Sequence, residues 1–281
     1  MPLNGEAVLL TNGEGKVLFA RNAGSDHAPA SLVKLMTLYL AYEALEAGRV
    51  QWDEPVRVTH HAAFTRRHRM GLRTEDAVPF HMLLEGVAIA SANDAATAVA
   101  ERLAGSEERF VERMNAKGRA LGLRHTRFAN PHGLPDPEQR TTAEDMARLI
   151  GRLLDDYPAS RILLGGKTFI YRGRVYNRHI PLFEDPGGVQ ALKTGFTREA
   201  GYNLAVAAWR DGQRALAIVL GAPTRRLSFR DAQFLLRFAF NEPAPTLATE
   251  PAPRRRPTSS TPPAARKRLR SRTLELPPRS R

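Results

Sequence analysis

The chain contains no cysteine. That excludes disulfides, thiolate metal sites and a cysteine nucleophile, and it leaves the redox compartment open. No stretch approaches the ~18 consecutive apolar residues of a membrane-spanning helix. The most apolar C-terminal region is interrupted by Arg210 and Asp211. The opening Met1-Pro2-Leu3-Asn4-Gly5-Glu6 has neither the basic start nor the apolar core of a secretory signal, so a cytosolic chain, or one whose signal is missing, is expected. Acidic residues are outnumbered: 29 Asp and Glu face 42 Lys and Arg, for a net charge of +13. The excess is uneven, because Pro243 to Arg281 alone carries ten Lys/Arg against two Glu. What is present suffices for a packed core. The 281 residues are 42% hydrophobic, enough for one large or two ordinary domains.

Two β-rich runs, 6–11 and 16–21, flank Asn12-Gly13-Glu14-Gly15 and read as a hairpin. Pro29-Ala30-Ser31-Leu32-Val33-Lys34-Leu35-Met36-Thr37 reads as the opening turn of a helix that stops near Gly48. Proline is tolerated there because the first N–H groups of a helix have no partner. Residues 52–73 are polar and irregular. Helices are expected over His81–Ala90, Ala95–Leu103 with Asn93 or Asp94 as cap, and Ser106–Leu121 closed by Gly122. Asn130-Pro131-His132-Gly133-Leu134 lies in a loop. Thr141-Thr-Ala-Glu144 reads as a capping box for a helix through Leu154. Then come a hairpin over 168–177, strands at Val189–Thr194, Tyr202–Trp209 and Arg214–Leu220, and a closing amphipathic helix, Leu227–Phe240. Distant strands must pair if each is to bury its apolar face, which predicts an α+β fold: one antiparallel sheet flanked by helices, with a helical subdomain. A catalytic domain over 1–242 and a disordered Pro/Arg-rich tail over 243–281 are the expected organisation.

Three short elements carry chemistry. Ser31 and Lys34 are three apart, so a helix would place them on one face at the positive end of its dipole. A serine beside an amine is a workable nucleophile–base pair if the amine is neutral, which requires burial or a neighbouring cation. Ser91-Ala92-Asn93 sits between two expected helices and Lys193-Thr194-Gly195 in a strand. Each alone occurs by chance; a capping serine and a strand-end glycine would explain the last two. Their joint order and setting form a specific pattern, the one recorded for penicillin-binding proteins and class A β-lactamases.

On these motifs, and on Asn130-Pro-His-Gly-Leu134 and Ala200-Gly-Tyr-Asn-Leu204, residues 6–240 resemble the low-molecular-mass penicillin-binding proteins, serine D-alanyl-D-alanine carboxypeptidases. The resemblance implies a DD-peptidase/β-lactamase-like fold with the site where sheet and helical subdomain meet. It implies Ser31 as nucleophile, Lys34 as base and Ser91 as proton relay. Asn93, Lys193, Thr194 and Gly195 would hold the substrate, and the N–H groups of Ser31 and Phe196 would form the oxyanion hole. Peptidoglycan stem peptides would be the substrate, β-lactams the inhibitors, and no cofactor would be needed. The location would be extracytoplasmic, in conflict with the lack of a visible signal.

The chain departs from the family pattern at Phe196, where a polar residue often follows Lys-Thr-Gly. An arginine near the last helix has no clean match, and Arg226 is the candidate. A β-lactamase would need a positioned glutamate, and this chain has Asn-Pro-His-Gly-Leu in the place where its Glu-x-x-x-Asn loop is expected. A D,D-endopeptidase cutting cross-links stays open, as does an inactive relative acting through the tail. The tail, with Arg254–Arg256 and Arg266–Arg270, suits an anionic cell-surface polymer or lipid; lacking interleaved aromatics, it predicts no specific nucleic acid partner. His60, His61 and His68 share a loop with Arg66, Arg67 and Arg69, which repel a cation, so they read as surface residues rather than metal ligands.

Overall fold

The computed structural model describes residues 3–184 and 188–241, and the expected tail at 243–281 lies outside them. The chain begins with β1 (Ala7–Asn12) and β2 (Val17–Arg21), then a 3-10 turn (Ala30–Val33) that runs into α1 (Lys34–Glu46). β3 (Pro55–Arg57), α2 (His60–Phe64), β4 (Ala77–Pro79) and α3 (Phe80–Glu85) follow, and a π-helical turn (Gly86–Ala90) leads to α4 (Asn93–Ala104). Next are α5 (Glu107–Ala120), α6 (Ala143–Asp156), α7 (Ser160–Gly165), β5 (Thr168–Tyr171) and β6 (Arg174–Asn177). The chain closes with β7 (Val189–Thr197), β8 (Gly201–Arg210), β9 (Gln213–Ala222) and α8 (Arg225–Ala239).

The expected antiparallel sheet forms from the two ends of the chain, in the order β2-β1-β9-β8-β7. Side chains alternate across it with period two. Ala7 and Leu9 of β1, Ala205 and Ala207 of β8, and Leu216 and Ile218 of β9 face the core shared with α1, α4 and α6. Val8, Leu10, Leu204, Val206, Ala217 and Val219 face α8 through Phe229, Ala232, Leu235 and Leu236. Both faces are covered, which is why β8 and β9 are continuous apolar runs rather than alternating ones. β7 is an edge strand.

The helical layer centres on α1, where Lys34 to Tyr42 are all buried. A helix buried all round carries no polar face, and this one reads accordingly. Several local readings change. The Ser31 turn is 3-10, not α, and the α-helix begins at Lys34. Ala92 rather than Asn93 or Asp94 precedes α4, with no side-chain cap, because both side chains are engaged elsewhere. The α6 cap is Thr142, which accepts from the Asp145 N–H, so the capping register lies one residue beyond the expected box. Residues 52–73 are not wholly irregular: β3 pairs with β4 and α2 is capped by Thr59. The short helix α7 had no clear periodic signal.

Candidate active site

Ser31 sits in a turn clamped from two sides. Ala30 adopts a left-handed φ of 49°, a costly conformation for a residue with a side chain. Gly195 of β7 passes so close that a Cβ there would lie 3.0 Å from the Ser31 nitrogen and 3.2 Å from the Pro29 oxygen. On the other side Gly133, at φ 87°, packs against the Ala30 carbonyl, where any side chain would overlap it. Asn203 of β8 donates to the Ala28 and Pro29 carbonyls at 2.8 and 3.1 Å and accepts from the Gly221 N–H. The turn is therefore tied to the sheet and to the Asn130–Leu134 loop together.

Lys34 is fully buried. Its Nζ lies 3.2 Å from Ser31 Oγ and 2.7 Å from Asn93 Oδ1, and it donates to the His132 carbonyl. Burial lowers its pKa to about 7, against a smaller upward pull from Asp94. The amine is thus neutral in a large fraction of molecules at neutral pH, which a base requires. Lys193, 1% exposed, donates to Ser91 Oγ at 2.8 Å and to the Thr194 carbonyl at 3.0 Å. Burial first, then the charges of Lys34 and Arg178, hold it well below the usual lysine range. Ser91 has a left-handed backbone (φ 53°) at the end of the π-helical turn, which presents its hydroxyl between two helices.

Thr194 is half-buried on β7, paired with Leu204. Phe196 is 51% exposed and its ring packs on Tyr202, with 4.3 Å between centroids. The structure brings Ser31, Lys34 and Asn93 into one hydrogen-bonded group, with Gly195 against Ser31 and the Lys193–Ser91 pair coupled to it through the lysine charges. Arg226 lines a cleft with Pro181, Leu182, Phe229 and Gln233. Among the described residues no cluster of His, Asp or Glu could hold a metal ion.

Sequence reading assigned no part in the site's chemistry to four residues that shape it. Asp94, fully buried, accepts from the N–H groups of Met70, Gly71 and Leu72 at 2.9–3.0 Å and fixes the adjacent loop. A carboxylate at the start of the otherwise small, apolar run Ala95–Ala100 was the available signal. Arg178 donates to the Leu164, Gly166 and Leu192 carbonyls and thereby holds β7. Glu107 lies between His132 (3.4 Å) and His61 (3.0 Å), braced against the loop whose carbonyl meets Lys34. Asn203, noted only as part of a motif, is the tie between the sheet and the turn that carries Ser31.

The D-alanyl-D-alanine carboxypeptidase family profile, peptidase S11, matches residues 4–224. The chain is 37% identical over 244 residues to the D-alanyl-D-alanine carboxypeptidase DacF of Bacillus subtilis, covering 84% of this chain and 62% of the relative. It is 38% identical to DacC of Escherichia coli, covering 83% and 60%. It thus spans about three fifths of the length of these relatives. A D-alanyl-D-alanine endopeptidase of Pseudomonas aeruginosa is 28% identical, covering 84% and 76%. Among solved structures, penicillin binding protein 5 of Haemophilus influenzae superposes with a TM-score of 0.83 at 32% identity, covering 86% of this chain and 72% of that one. Penicillin-binding protein D2 of Listeria monocytogenes, in a cefotaxime-bound form, gives 0.73 at 29%, covering 85% and 98%. The order and spacing of the three motifs, the fold and these similarities agree: the chain belongs to peptidase family S11, the D-alanyl-D-alanine carboxypeptidases.

Proposed function

We propose that this protein is a serine D-Ala-D-Ala carboxypeptidase that removes the terminal D-alanine from peptidoglycan stem peptides through an acyl-enzyme, and that β-lactams inhibit it by acylating the same serine. The observation that carries this is the buried Lys34 amine, with its pKa near 7, 3.2 Å from Ser31 Oγ.

The reaction follows from the charges. Neutral Lys34 takes the Ser31 proton as Oγ attacks the carbonyl of the penultimate D-alanine. The oxyanion is held by the Ser31 and Phe196 N–H groups; one such donor is typically worth ~10²–10³ in rate. Phe196 contributes through its backbone, so its apolar side chain does not remove the donor. Ser91, hydrogen-bonded to Lys193, gives its hydroxyl proton to the departing D-alanine nitrogen as the C–N bond breaks and is reprotonated by Lys34, which returns to the neutral amine. A water then attacks the Ser31 ester, giving its proton to neutral Lys34, which passes it to Ser31 Oγ as the ester C–O bond breaks and the shortened peptide leaves. Asn93 Nδ2, 2.9 Å from the Arg66 carbonyl, and the open edge of β7 hold the peptide backbone. Thr194, with the Lys193 amine beside it, takes the terminal carboxylate. The substrate places the enzyme outside the cytoplasmic membrane; among the described residues no helix is long and apolar enough to cross one. The relative named as an endopeptidase supports a second reading, cleavage of cross-links at the same site.

Intact mass with and without benzylpenicillin, in wild type and Ser31→Ala, tests the nucleophile. A stable adduct absent from the variant is expected, with D-alanine released from a D-Ala-D-Ala peptide by wild type only. No adduct and no release in folded protein would overturn the proposal; release from cross-linked dimers alone would favour the endopeptidase.

A further inference from the structure

Beside the site lies a second cleft, of about 680 Å³, between the loop at 64–71 and β6. Its walls carry Arg66, Arg67, His68, Arg69 and Arg174, with Phe64 and Tyr176 as apolar surfaces, and include Ala90, the residue before Ser91. The loop holds its shape without using its arginine charges on carboxylates. Asn93 binds the Arg66 carbonyl through its side chain and the His68 carbonyl through its backbone at 2.7 Å. Asp94 binds the backbone of 70–72, and Tyr176 donates to the Met70 carbonyl at 2.8 Å. Arg67 and His68 are both left-handed, at φ 56° and 28°, a strain kept at functional loops more than elsewhere.

The acids nearby are engaged otherwise. Glu75 pairs with Arg57, Asp76 with Arg172, and Glu107 with His61 and His132. Among the described residues none pairs with Arg66, Arg67, Arg69 or Arg174. Arg69 donates to the Ala63 carbonyl, and Arg174 stacks on Tyr176 with its guanidinium carbon 4.8 Å from the ring centroid. Four arginines on a fixed backbone, with no internal counter-charge, form a preorganised anion site. The site's charges reach into the cleft: partial burial, then the charges of Lys34, Lys193 and Arg67, hold the His68 imidazole below its ordinary pKa.

We infer that this cleft is a specificity subsite for a carboxylate carried by the stem peptide one or two residues before the acylated D-alanine. The inference rests on the carboxypeptidase reading. In that reading the leaving D-alanine lies toward Thr194, and Asn93 holds the peptide on the acyl side. The cleft adjoins Asn93 through Arg66 and His68, so it receives the upstream part of the chain.

The test uses acetylated peptides ending in D-Ala-D-Ala. Two acid/amide pairs differ only in whether a carboxylate, at the first or second residue before the acylated D-alanine, is free or a primary amide. A truncated neutral peptide lacks both. D-Alanine release by the full chain gives kcat/KM at low salt. For at least one pair the acid is expected to be better by about five- to tenfold, the range of a partly solvated Arg–carboxylate contact. That ratio should fall to within about twofold in Arg67→Gln/Arg174→Gln, and should shrink for wild type at high salt. Because the ratio is taken within each protein, partial loss of fold in the variant does not mimic the result. Equal rates within both pairs, or a preference the variant retains, would overturn the inference while hydrolysis of the truncated peptide leaves the carboxypeptidase reading standing. If wild type releases D-alanine from none of the peptides, that reading fails and the subsite falls with it.

Discussion

Replacing Lys34 by methionine tests the buried amine without relying on catalysis. The lysine pKa falls from 10.5 to about 7 on folding, chiefly through burial. A depressed amine contributes stability that is fully present above its unfolded pKa and is lost as pH falls toward the folded one. Methionine fills similar volume and does not titrate. Wild type should therefore gain on Lys34→Met as pH rises, by about 3 kcal/mol between pH 7 and 9.5 from the linkage relation. Below about pH 6 the two stabilities should run in parallel. Loss of the three hydrogen bonds to Ser31, Asn93 and His132 shifts the whole difference but not its slope. Lys193 titrates in both proteins and largely cancels; what remains works in the same direction, because the Lys34 charge depresses it. Urea unfolding of both proteins across this range measures the difference. A constant difference, or one that moves the other way, would refute a buried amine with a depressed pKa. Wild-type acylation by benzylpenicillin should rise through about pH 7 and level off above it, as Lys34 becomes neutral.

Asp94→Asn removes the one charge that raises the Lys34 pKa, so the acid limb of acylation should move to lower pH, read from the pH dependence of penicillin binding. The amide also cannot accept from three backbone N–H groups as the carboxylate does, and unfolding should show a loss of about 2–4 kcal/mol. Gly195→Ala puts a methyl 3.0 Å from the Ser31 nitrogen; acylation should slow by about 10²-fold with little change in the far-UV spectrum. Gly133→Ala meets both a left-handed φ and the Ala30 carbonyl, and its thermal unfolding should fall further than that of Gly15→Ala, whose site is left-handed but open.

The hairpin, the two long strands and the closing helix were legible because each has a local signal: an Asn-Gly turn, alternation or an unbroken apolar run, and a 3.6-residue period. The boundaries that shifted are those where tertiary contacts outbid local preference. Asn93 and Asp94 are good capping residues, but one binds Lys34 and the other the loop at 70–72, so neither caps α4. Ser31 lies in a 3-10 turn under the pressure of Gly195 and Gly133, residues more than a hundred positions away.

The sequence by itself determined the chemistry on offer. It excluded thiols, supplied Ser31-x-x-Lys34, Ser91-x-Asn93 and Lys193-Thr-Gly195 in their order, and set the apolar pattern that closes one sheet from both ends of the chain. Only the tertiary structure decided what those groups are chemically. A lysine amine is neutral near pH 7 only where other segments bury it, and Lys34 is buried by α4 and the Asn130–Leu134 loop. The four arginines around the second cleft read in sequence as a solvated basic run and a distant hairpin residue. They form one anion site because Asn93, Asp94 and Tyr176 fix the loop against β6, and spacing along the chain carries no information about such a meeting.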